Sequence, residues 1–279
     1  LIISIILFAL LGWLVGIAIN HAADVLPTRK TLFQGPRCSE CGHKHPVTAW
    51  SALLALVGNH RACHQCGHSR PAFSRAVMVE LITPALFIIL LWQTGFSYRL
   101  GAVLLYTAIL ILITVTDLEH RLILNIVILP SIVVAIIFSF FSPLSGFWHF
   151  GDGCNSLLYG IYTLLLRAPS TFWEVAFIGG ALGFVISFCA WLFAVLLYGH
   201  GALGQGDVTL SAFLGLIVGF PYILLTFLFT VLLGGIVPLL LILVRRVNRR
   251  SYIPYGPFLT ISGWLMLTWG NEIWHFYFC

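Results

Sequence analysis

Charge is scarce in this sequence. Of its 279 residues only 8% are Asp, Glu, Lys or Arg, nine of them acidic (9 Asp+Glu), whereas 60% are hydrophobic. A soluble domain carries about 25% charged residues, so the composition excludes an ordinary water-soluble protein. No Gly-x-Gly-x-x-Gly follows a strand and no strand–helix alternation is present, which excludes a doubly wound nucleotide-binding fold. The first apolar run lacks both a basic start and a small-residue cleavage site. It is therefore expected to be a retained helix, although the chain begins at Leu1.

In place of charge there are apolar runs near the length of a bilayer crossing, about 20 residues. They fall at about 1–20, 77–94, 99–116, 122–141, 174–198, 208–220, 221–244 and 257–274. The sixth is short, and Pro221 marks a turn into the seventh; merging the two would give seven. The expected fold is an all-α polytopic membrane protein with about eight transmembrane helices.

Basic residues orient it. Arg29, Lys30, Arg37, Lys44, Arg61, Arg70 and Arg75 hold half of the 14 Lys and Arg and follow the first helix. Basic loops stay in the cytoplasm. With 21–76 inside, eight crossings put the second basic cluster, Arg245, Arg246, Arg249 and Arg250, inside as well. Seven crossings would put it outside. The loop 142–173, with Trp148, Tyr159 and Tyr162, then faces out, where aromatics suit the interfacial belt.

On this walk Asp117 and Asp207 both reach the cytoplasmic ends of apolar segments, at similar depth. Asp117 lies in Thr-Asp-Leu-Glu-His-Arg (116–121) and Asp207 closes Gly204-Gln205-Gly206-Asp207. A charge at a membrane edge is costly and marks a functional site. Two facing carboxylates share one proton, which makes one an acid and the other a base. Gly204 and Gly206 would let an extended backbone lie close to Asp207. Glu80, near the same level, is a further candidate for contact with substrate, or else a helix-end charge.

Four cysteines are paired: Cys38-Ser39-Glu40-Cys41-Gly42 and Cys63-His64-Gln65-Cys66-Gly67, with 21 residues between the pairs. That is zinc-ribbon spacing, and the following glycines suit tight knuckles around thiolates. Disulfides are disfavoured on the cytoplasmic side. A structural zinc on Cys38, Cys41, Cys63 and Cys66 is therefore expected to fold a small domain. The expected division is helix 1 (1–20), a cytoplasmic zinc-binding domain (21–76), and a transmembrane catalytic domain (77–279).

Taken in order, these motifs resemble those of the type IV prepilin peptidases, membrane aspartyl proteases with a Gly-x-Gly-Asp signature. The match runs through the first helix and two-CxxC domain, Val79-Glu80-Leu81, Asp117-Leu118-Glu119-His120-Arg121, Gly204-Gln205-Gly206-Asp207, and Pro254-Tyr255-Gly256-Pro257. The resemblance implies cleavage of the basic leader of prepilins or pseudopilins at the cytoplasmic face of the bacterial inner membrane. It also implies S-adenosylmethionine-dependent methylation of the new N-terminus, with the cofactor in a pocket whose residues the sequence does not name. Asp117 and Asp207 become the catalytic pair and the four cysteines the zinc ligands. The expected partners are these protein substrates and the lipid bilayer; no nucleic acid is expected. Three positions depart from the family pattern: Thr209 replaces a usual Lys, Leu124 a usual Pro, and Ile19-Asn20 matches its counterpart loosely.

Other readings compete. A transporter would need charges through the membrane, but both aspartates fall at one face. A protease of the wider Gly-x-Gly-Asp class with another membrane substrate would use the same pair. A non-catalytic assembly factor of a pilus or secretion system would not need it.

Overall fold

The computed structural model describes residues 2–27, 41–42, 50–58, 65–67, 75–141, 172–199, 204–244 and 254–278. Among these are nine helices and no strand. The arginine cluster at 245–250, the loop 142–171, and Cys38 and Cys63 lie outside the described residues. The chain divides into two compact units, Leu1–Thr116 and Asp117–Cys279.

In the first unit, α1 (Ile2–Val25) packs along α3 (Arg75–Thr94), and the short α2 (Ala52–Val57) also packs on α3. Small residues set the approach of α1 to α3. A Cβ at Gly12 would come within 2.6 Å of the Pro84 Cα, and one at Gly16 within 3.2 Å of the Glu80 Cα. Backbones come this close in apolar surroundings only over small residues. All but the last turn of α4 (Tyr98–His120) completes this unit. Ile19, Ala23, Val79 and Val115 form a buried cluster flanked by Val15, Ala108, Ile111 and Leu112. Asn20 is buried too, and its Nδ2 donates to the Ala76 carbonyl at 2.9 Å, tying α1 to the first turn of α3.

In the second unit, α7 (Gln205–Val218) packs against α5 (Asn125–Phe141), α6 (Phe172–Tyr198), α8 (Tyr222–Leu243) and α9 (Gly256–Phe278). Its sequence explains its central place. Val208, Leu210, Phe213, Leu214, Ile217 and Val218 are all buried, so the helix is apolar on most of its circumference. Gly219, with φ +74°, ends α7, and Pro221 caps α8. The sixth and seventh apolar runs are thus separate helices with a turn at Pro221, as the sequence indicates.

Each of the eight apolar runs corresponds to a helix. Five helices are long and apolar enough to cross a membrane: α1, α3, α4, α6 and α8. Of the remaining three, α5 has 17 residues and α7 has 14. At about 1.5 Å per residue, 14 residues span roughly 21 Å, less than the ~30 Å of a hydrocarbon core. Helix α9 has length enough, 23 residues, but is less apolar, with Asn271, Glu272 and His275 near its end.

Candidate active site

Asp117 sits in the last turn of α4. That helix stops because Arg121 adopts a left-handed conformation, φ +52°, and turns its N–H back to the Asp117 carbonyl at 2.9 Å. This is the αL form of helix termination, carried here by an arginine. The chain then runs through Leu122 and Ile123 into α5.

Asp207 sits at the other kind of helix end. Gly204 is the N-cap of α7 and Asp207 is its third helical residue. The Asp207 N–H donates to the Gly204 carbonyl at 3.1 Å, and the Asp207 carboxylate folds back toward Gly204, where a Cβ would lie 3.3 Å from its Oδ2. The Gly-x-Gly-Asp turn thus keeps its carboxylate close to its own backbone. Gly206 is needed for space, since a Cβ there would come within 2.5 Å of the Ile123 Cβ. The segment after Asp117 thereby packs onto the turn that holds Asp207.

The two carboxylates line one cavity of about 200 Å³ with Arg121, Leu122, Ile123, Gly204, Gln205, Gly206, Pro254 and Tyr255. Both are buried, Asp117 at 5% exposure and Asp207 at 8%. Gly256 lies against Asp117, where a Cβ would overlap its Oδ2, and that oxygen has no hydrogen-bond partner among the described residues. A buried acceptor of this kind calls for a proton or an incoming donor. The Tyr255 hydroxyl is pushed up to about 12, first by burial and then by the negative charge of Asp207. It therefore enters the site as a neutral hydrogen-bonding group. Thr209, at the position of the usual lysine, turns its hydroxyl back to the Gly206 carbonyl at 2.9 Å.

Glu80 belongs to the first unit, where it is 1% exposed. Its carboxylate accepts from the Ser51 hydroxyl (2.6 Å), the Ala52 N–H (2.7 Å), the Leu53 N–H (3.1 Å) and Trp13 Nε1 (3.3 Å). The substrate contact expected of Glu80 thus falls on a carboxylate that already ties α1, α2 and α3 together. Of the four paired cysteines, Cys41 and Cys66 are described and exposed. The glycine after each is left-handed, Gly42 at φ +69° and Gly67 at φ +70°. The two glycines thus share one backbone conformation. No cluster of metal-ligating side chains occurs among the described residues, which exclude Cys38 and Cys63.

No sequence motif assigns a role to Ser51, Trp13 or Ile123. Gly256 stands in the Pro-Tyr-Gly-Pro element, but what it offers Asp117 is the absence of a side chain, which only the fold reveals.

Residues 104–239 match the model of the type IV leader peptidase family. The chain is 29% identical over 241 residues to the prepilin leader peptidase/N-methyltransferase of Pseudomonas aeruginosa, covering 85% of this chain and 72% of the relative. A protein of the same name from Aeromonas hydrophila is 28% identical, covering 86% of this chain and 73% of the relative. The Bacillus subtilis protein of that name is 25% identical, covering 91% and 79%. No solved structure matches the chain.

Proposed function

We propose, on the match of residues 104–239 to the type IV leader peptidase family, that the chain is a membrane aspartyl endopeptidase that removes the basic leader of type IV prepilins or pseudopilins. One observation carries the reading: Asp117 and Asp207, far apart in sequence, are buried side chains of one cavity. Burial and mutual repulsion oppose ionising both, so the pair holds one proton. A water between them attacks the scissile carbonyl. The ionised carboxylate takes a proton from that water as the protonated one donates to the carbonyl oxygen. Both Asp117 and Asp207 are assigned as catalytic, and Gly204 and Gly206 as the turn that admits the substrate backbone.

The same reading sets the chain in the bacterial inner membrane with eight crossings and residues 21–76 in the cytoplasm. The matching turns at Gly42 and Gly67 fit a structural zinc held by Cys38, Cys41, Cys63 and Cys66. Such a metal supplies folding energy and no chemistry at the scissile bond. The chain also methylates the new N-terminus, with S-adenosylmethionine as methyl donor, as the names of its relatives suggest. Glu80 is assigned to holding the first unit together rather than to the leader. Purified protein incubated in detergent with a basic-leader, apolar-helix prepilin tests the reading by mass spectrometry. The leader is released as one fragment, and with S-adenosylmethionine the other product is one methyl group heavier. Intact substrate across several such prepilins would overturn it.

A further inference from the structure

The start of α9 reaches the site at Gly256, which lies against Asp117. Within residues 256–259, Pro257 has no N–H, and the N–H groups of Phe258 and Leu259 both donate to the Tyr255 carbonyl, at 3.1 and 3.3 Å. The first N–H groups of a helix have no partner within it. Here that leaves the donor of Gly256, the residue that lies against the Asp117 carboxylate.

Residue 256 also has a spatial requirement. A Cβ there would overlap the Asp117 Oδ2 and lie 3.0 Å from its Cγ. The glycine is not needed for backbone conformation, since its φ is not positive. An alanine would adopt the same helical start, and its methyl group would strike the carboxylate alone. The Asp117 Oδ2 is buried without a partner among the described residues, in the space that the missing side chain of Gly256 leaves.

We infer that Gly256 is the positioning residue of Asp117, making room for its Oδ2 by lacking a side chain. The inference rests on the aspartyl-protease reading and extends it to a residue beyond the matched segment 104–239. Gly256 never touches the reacting atoms. It sets the angle at which Asp117 presents its free oxygen, and a displacement near 1 Å at such a group costs about 10²-fold in rate.

The test uses the full chain in detergent. Gly256→Ala lowers kcat for prepilin cleavage about 100-fold and leaves KM near that of the wild type. A statine-containing substrate analogue, which both carboxylates would grip, loses affinity in the same variant. A merely structural defect would lower active fraction without changing kcat per folded enzyme or analogue affinity. Because the methyl strikes only the carboxylate, any loss of thermal midpoint in Gly256→Ala disappears on an Asp117→Ala background. If Gly256→Ala does not fold, Asp117→Ala/Gly256→Ala still folds, with the midpoint of Asp117→Ala. The inference fails if Gly256→Ala cleaves with wild-type kcat, or if the double variant is as destabilised as the single. If Asp117→Asn retains wild-type cleavage, the protease reading itself is at fault; if Asp117→Asn is inactive while Gly256→Ala is normal, only the positioning role falls.

Discussion

The Ser51 hydroxyl donates to the Glu80 Oε2 at 2.6 Å, between a short helix and a long one. The same Ser51 oxygen accepts the Leu54 N–H at 3.2 Å and so caps α2 while bound to Glu80. A buried carboxylate is tolerable only when donors surround it. Glu80 has four, and three of them come from residues 51–53.

Glu80→Gln therefore loosens α2. A glutamine turns two donors into a site built for an acceptor, at a cost of about 1–3 kcal/mol. Hydrogen exchange measured by mass spectrometry is expected to speed up at Ala52 and Leu53. Unchanged protection there would mean that α2 is held by something other than this carboxylate.

The packing of α6 on α7 predicts opposite outcomes for two glycines. A Cβ at Gly183 would overlap the backbone carbonyl of Ser211, which has no room to give. At Gly235 in α8 nothing lies within 4 Å. Gly183→Ala is expected to destabilise by about 1–3 kcal/mol. Gly235→Ala should be neutral or stabilising by up to about 1 kcal/mol, because alanine is the better helix former. Thermal unfolding in micelles compares them, and equal midpoints would refute the close approach.

Gly206 makes a narrower claim. Gly206→Ala drives a methyl group into Ile123 and should separate the Asp207 turn from the segment after Asp117, abolishing cleavage. Ile123→Gly removes the three atoms that the methyl would meet. The double variant is expected to regain part of the activity, measured as initial rate on a prepilin. A double variant no better than Gly206→Ala would show that Gly206 matters for a reason other than space.

The paired turns at Gly42 and Gly67 predict about one zinc ion per chain. Cys41→Ser and Cys66→Ser should each reduce the metal found by elemental analysis and shift thermal unfolding of the chain downward. Full zinc content in both variants would exclude these cysteines as ligands.

Much of this organisation was legible in the sequence because hydrophobic length and charge placement are coarse, robust signals. All eight apolar runs became helices, and Pro221 lies at the turn that divides two of them. Asp117 and Asp207 stood out because a carboxylate beside an apolar run is costly, and both line one cavity. What stayed hidden depends on backbone groups and on partners distant in sequence. Glu80 looked like a helix-end charge because its donors lie 27 to 67 positions away. Gly256 looked like a motif letter because what it contributes to Asp117 is the absence of a side chain. The five long apolar helices are recognisable by length, whereas α7 has only 14 residues and is covered by neighbouring helices on several sides.

The central claim is that Asp117 and Asp207 form one catalytic unit, and the most direct test is prepilin cleavage by Asp117→Asn and Asp207→Asn in parallel with the wild type. Each variant keeps the size of its side chain and removes the ability to exchange a proton. The account predicts that each single variant loses about 10³-fold or more in cleavage rate, with thermal midpoint and zinc content unchanged. Wild-type cleavage by either variant would contradict it.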